Sequence, residues 1–129
     1  MTLAFVLWVK IVATALLWAG PLLLFPARWL HRLGYPKTQP AVFTRLLGAA
    51  FTALLVGYVL GLRMLQDVPS TYPRNTVIVG AVSNGLACAI LLIYGLKGAY
   101  AEWGRPARFA MWLSAGITGF VTVGLLTTR

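Results

Sequence analysis

The sequence predicts an all-α fold, an integral membrane bundle of four transmembrane helices, and three observations predict it. Of 129 residues, 60% are hydrophobic and 10% are charged, whereas a soluble domain carries about 25% charged residues. Mean hydropathy is +0.83, so there is too little polar surface to cover a water-soluble globule. Four apolar stretches, at about 3–25, 43–64, 76–96 and 107–126, each approach the roughly 20 residues that a bilayer core requires. One domain over 1–129 accounts for the whole chain.

The first stretch is apolar apart from Lys10 and Thr14, and Pro21 is expected to kink its last turn before Pro26 ends it. It is read as a retained helix, because no basic region precedes it and Lys10 interrupts what would be a signal-peptide core. The connection that follows, PARWLHRLGYPKTQP, alternates Arg28, His31, Arg32 and Lys37 with Trp29, Leu30, Leu33 and Tyr35. Over 28–33 this spacing predicts a short interfacial turn, basic on one side and apolar on the other. Gly34, Pro36 and Pro40 prevent anything longer.

The second stretch is bracketed by Arg45 and Arg63, whose side chains can reach the headgroups. Within it Gly57 and Gly61 are spaced as GxxxG, which lets helix backbones approach closely. The third stretch, TVIVGAVSNGLACAILLIYGL, has no charge and carries Asn84 close to its middle. The fourth is rich in small residues, among them Ser114, Ala115, Gly116, Gly119 and Gly124. Gly57, Gly61, Gly116 and Gly119 are therefore the expected helix-packing positions.

Charge sets the expected orientation. Connections one and three hold Arg28, Arg32, Lys37, Arg45, Lys97, Arg105 and Arg108, while the other face holds Arg63, Arg74 and Arg129. The richer face is expected to be cytoplasmic, with both termini outside a bacterial inner membrane. Arg28, Arg32, Lys37, Arg105 and Arg108 are the expected contacts for anionic lipid headgroups. The net charge of +9 does not point to nucleic acid, because the cations serve connections rather than one soluble groove.

Most catalytic constellations are excluded by counting. The two carboxylates, Asp67 and Glu102, belong to connections on opposite faces and cannot pair as acid and base. His31 is the single histidine and has no acidic orienter. Cys88 alone forms neither an intrachain disulfide nor a metal site, and no phosphate-binding or dinucleotide motif occurs. No cofactor is expected, and an autonomous enzyme is not.

Lys10 is the one ionisable residue well inside a stretch. Three readings stay open: its stem snorkels, it has a structural partner, or it binds a ligand. A depth count at about 1.5 Å per residue puts Lys10, Tyr58, Asn84 and Thr122 in one slab near the midplane. These four are the candidate ligand-binding residues, for a lipid headgroup, a quinone-like carbonyl or a small anion. The alternative is that Asn84 merely ties two helices together.

The run FTRLLGAAFTALLVGYVLG after a basic, proline-containing loop resembles small DoxX-like bacterial membrane proteins. Those carry four helices and commonly an arginine at the start of the second, matched by Arg45. The resemblance implies the same bundle and an accessory role in redox or membrane stress, with no catalytic residues to carry over. A non-enzymatic subunit or accessory scaffold, packed against copies of itself or a larger membrane complex, is the first functional expectation. A small transporter or lipid, quinone or anion binder is the second.

Overall fold

The computed structural model describes residues 2–36, 41–68 and 70–128. Lys37 and Arg129, counted above among the topology and headgroup residues, lie outside these.

Every regular element described is helical, and four spans are long and apolar enough to cross a membrane. The first span, Leu3–Leu24, combines α1 (Leu3–Ala13), a π-helical segment (Thr14–Ala19) and α2 (Gly20–Leu24). The short α3 (Ala27–Arg32) follows, then α4 (Ala41–Asp67), α5 (Arg74–Leu96) and α6 (Arg105–Thr127). α4 starts two residues before and ends three after the expected stretch, α5 starts two early and ends at Leu96 as expected, and α6 starts two early and ends one later, with Arg74, Arg105, Asp67 and Thr127 completing the terminal turns.

Local chemistry fixes the ends. Thr2 caps α1, its hydroxyl accepting from the Phe5 N–H at 3.2 Å, so one orphan donor of the first turn is satisfied. Near Pro21, where a kink is expected, the helix carries a π-helical segment, Thr14–Ala19. Proline has no N–H and its ring crowds the carbonyl four residues back, and the helix responds one turn earlier by widening. The Gly20 N–H then reaches the Ala15 carbonyl, five residues back.

The basic stretch at 28–33 forms α3, a little longer than the single turn expected. It closes with Gly34 at φ +99°, while Tyr35 N–H bonds Leu30 O at 3.1 Å and Gly34 N–H bonds His31 O at 3.0 Å. That is the left-handed helix stop in which glycine is favoured. Gly98 stops α5 in the same way, at φ +81°, with Ala99 N–H on Tyr94 O at 3.0 Å.

The first span packs on α4 and α6, α5 packs extensively along α6, and α4 touches α5 only sparsely. The bundle is thus a ring left partly open between α4 and α5, where a groove of about 220 Å³ runs past Gly57, Tyr58, Asn75 and Thr76. The two basic connections meet backbone to backbone. Gly104 N–H donates to Gly34 O at 3.2 Å, and Ala107 N–H donates to Leu33 O at 2.9 Å.

Along its axis the interior has three layers. At the termini end, Leu3, Val6 and Leu7 pack with Tyr58, Leu62, Val77, Val121 and Leu125. At the other end, Leu91, Tyr100, Met111 and Ala115 pack with Trp18, Tyr35 and Trp103. Lys10, Thr14, Asn84, Ser114 and Thr118 are the buried polar residues between them. The exterior is the reverse, with Leu16, Leu24, Leu96, Phe109 and Leu126 all more than 60% exposed, as lipid contact demands.

Gly34 and Gly98 make a paired test. Gly98→Ala should cost about 1–2 kcal/mol for a left-handed residue with a Cβ, since nothing lies within 4 Å of the added methyl. Gly34→Ala should cost clearly more, because its methyl meets the Gly104 backbone. Thermal unfolding in mild detergent measures both. Equal losses would contradict the close approach of the two connections.

Candidate functional site

Two polar regions stand out, one predicted from the sequence and one not. In the predicted layer, Tyr58 and Asn84 are each 1% exposed. The Asn84 amide donates to Gly80 O at 2.7 Å and to Tyr58 Oη at 3.3 Å. Ser83 Oγ donates to Gly80 O at 3.2 Å and lies 3.1 Å from Tyr58 Oη. A hydroxyl has one proton, so Tyr58 donates to Ser83 and the chain runs Asn84, Tyr58, Ser83, Gly80. α4 and α5, whose packing is sparse, are held here.

Lys10 is buried at 6% exposure, and its Nζ lies 5.7 Å from the centroid of the Tyr58 ring. Its side chain is therefore turned into the bundle against an aromatic face. Asn84 Oδ1 and Thr14 Oγ1 in the same layer have no hydrogen-bond partner. Thr122 does not join them. Its hydroxyl donates to its own helix at Thr118 O, 2.7 Å away, as threonines on helices commonly do. Its methyl instead faces Gly85.

The glycines divide similarly. A Cβ on Gly61 would lie 2.5 Å from the Thr76 side chain, and one on Gly119 3.3 Å from Cys88 Sγ. These two serve packing inside the bundle. Gly57 and Gly116 have nothing within 4 Å of an added Cβ, so neither makes a close helix contact among the described residues.

The second region lies where the basic connections meet. A cavity of about 600 Å³ opens there. The first span contributes Trp18 and Leu22; α3 and its stop contribute Ala27, Arg28, Leu30, His31, Tyr35 and Pro36. α4 adds Thr44, Arg45 and Leu47, and Trp103 and Met111 close the far side. Arg45 builds the wall rather than reaching for headgroups. Its guanidinium donates to Leu22 O at 2.8 Å and Phe25 O at 2.7 Å, and these carbonyls end a helix followed by Pro26, which cannot cap them.

Aromatic contacts brace the walls. Trp18 stacks on Phe51 with ring centroids 5.0 Å apart, and Trp103 sits against Tyr35 at 5.8 Å and Tyr100 at 5.0 Å. Tyr100 Oη donates to Leu91 O at 3.2 Å. Burial pushes the Tyr35 phenol above its ordinary pKa, which keeps it a neutral donor at physiological pH. Of the five expected headgroup residues, Arg28 lines the cavity, Arg32, Arg105 and Arg108 do not, and Lys37 is outside the described residues.

The sequence reading missed this cavity. The available signal was that both connections of one face pair basic residues with tryptophan or tyrosine, around Gly34 and Gly104. Among the described residues no cluster of three metal-ligating side chains occurs. No family model, curated protein or solved structure matches the chain.

Removing the buried amine tests whether the polar layer is structural. Lys10→Met keeps the volume and removes the desolvated group, so unfolding by sodium dodecyl sulfate should shift upward by about 1–3 kcal/mol. A destabilised Lys10→Met would contradict the view that burying Lys10 costs more than its contact with the Tyr58 ring returns.

Proposed function

We propose that this is a non-enzymatic membrane protein that binds an amphiphile drawn from the membrane in the cavity between its basic connections. The observation that carries the reading is the cavity's polarity gradient. Arg28, His31 and Arg45 border it on the connection side, while Trp18, Leu47 and Met111 line it within the spans. Trp18 and Met111 each lie six residues inside their span ends, about 9 Å at 1.5 Å per residue. The gradient therefore parallels the change from headgroup to hydrocarbon. A volume of about 600 Å³ falls within the range of small-molecule sites.

The excess of Lys and Arg on this face supports a cytoplasmic position for the cavity, with both termini outside. The resemblance of residues 43–61 to DoxX-like proteins supports a bacterial inner membrane. The predicted Lys10, Tyr58 and Asn84 layer is, in this reading, a packing device, since neither Lys10 nor Asn84 borders the cavity or the groove.

A second reading, the accessory subunit, is favoured by Gly57 and Gly116, whose open faces suit a close helix approach by another copy or partner.

Both readings can be examined on one preparation. Added amphiphiles of the bilayer should raise the unfolding temperature of the wild type with concentration, as binding to the native state requires. Ala27→Trp, which fills the cavity without removing a polar group, should abolish the shift. An unshifted wild type, or a shift that survives Ala27→Trp, would contradict the binding reading. Light scattering on the same sample addresses the subunit reading: a mass above the monomer that Gly57→Ile and Gly116→Ile remove supports it, and a monomer opposes it.

A further inference from the structure

Resting on the amphiphile reading, we propose that the cavity is selective for an anionic phospholipid, its phosphate held by Arg28 and its chain laid against Trp18 and Met111. The charge of the lining sets the selectivity. Arg28, His31 and Arg45 contribute basic groups, and among the described residues no carboxylate lines the cavity. A zwitterionic headgroup carries no net charge for these three basic groups to attract, and its ammonium has only the aromatic rings of the lining to meet. An anionic headgroup meets only cations and neutral donors. The Thr44 hydroxyl and the neutral Tyr35 phenol lie on the same lining.

The division of labour between the arginines follows from hydrogen bonding. Arg45 already donates to Leu22 O and Phe25 O, so it is fixed in place as a wall and a source of positive potential. Arg28 is exposed on α3, and a guanidinium there can present its fork to two phosphate oxygens. A phosphate free in solution would use Arg28 but leave the exposed parts of Trp18 and Leu47 against water. A lipid satisfies both ends, which is why the lipid rather than the free anion is assigned.

This differs from a general attraction of basic loops to anionic membrane. In that case each cation near the surface contributes a similar amount, and Arg28, Arg32 and Arg105 would be interchangeable. The cavity makes Arg28 distinct, because Arg32 and Arg105 do not line it.

The test is native mass spectrometry of the full chain released from nanodiscs of equal phosphatidylglycerol and phosphatidylcholine. The wild type should retain phosphatidylglycerol about tenfold over phosphatidylcholine, which is about 1.4 kcal/mol. Arg28→Gln should bring the ratio close to one, Arg28→Lys should keep part of it, and Arg32→Gln and Arg105→Gln should leave it unchanged. Equal retention of the two lipids by the wild type overturns the selectivity while leaving the amphiphile reading intact. No retained lipid overturns both. Equal effects of Arg28→Gln and Arg105→Gln assign the preference to surface charge and overturn the site. Displacement of the lipid by inorganic phosphate alone would overturn the lipid assignment in favour of the free anion.

Discussion

A helix that ends at the membrane interface beside a proline leaves carbonyl oxygens that must find donors, and the end of the first span meets this demand with Arg45. Its bonds to Leu22 O and Phe25 O join the start of α4 to the end of α2 across the first connection. Charge-assisted bonds of this type are worth about 1.5–3 kcal/mol. Their geometric effect matters as much. They hold the end of the first span against the start of α4, and the cavity opens between these and α3. The close approach of Gly34 to Gly104 closes the structure on the other side. Two short-range constraints thus produce a concave site on a chain with almost no soluble mass.

The interior answers a different constraint. Packing among lipid-embedded helices gains little from the hydrophobic effect, so small residues and hydrogen bonds carry the contacts. Gly61 against Thr76, Gly119 against Cys88 and Gly80 against Leu125 are such close approaches. The Asn84, Tyr58, Ser83 chain ties α4 to α5 across an otherwise sparse interface. Lys10 is harder to account for energetically. It is turned inward onto the Tyr58 ring, and a cation–π contact of about 2 kcal/mol offsets only part of what its burial costs.

The spans were legible because twenty apolar residues in a row need a bilayer, whatever the rotation of the helix. The meeting of Tyr58 with Asn84 was partly legible from depth alone. Rotation was not: depth placed Thr122 in the same slab, yet its hydroxyl bonds its own backbone. The same gap separates Gly57 from Gly61, identical in spacing but only one of them facing a neighbour. The π segment was missed because Pro21 signals a defect without saying which turn absorbs it. The cavity was missed because it depends on Gly34 and Gly104 meeting, and no local pattern joins residues 70 positions apart.

The central claim is that the bundle presents a formed lipid site between its basic connections. The most direct measurement is a density map of the protein in nanodiscs containing an anionic phospholipid, at a resolution that shows side chains. Density for a phosphate within hydrogen-bonding distance of Arg28, continued by an acyl chain between Trp18 and Met111, is the result expected. A cavity collapsed onto Trp18, or filled by side chains with lipid only around the outer surface, would contradict it.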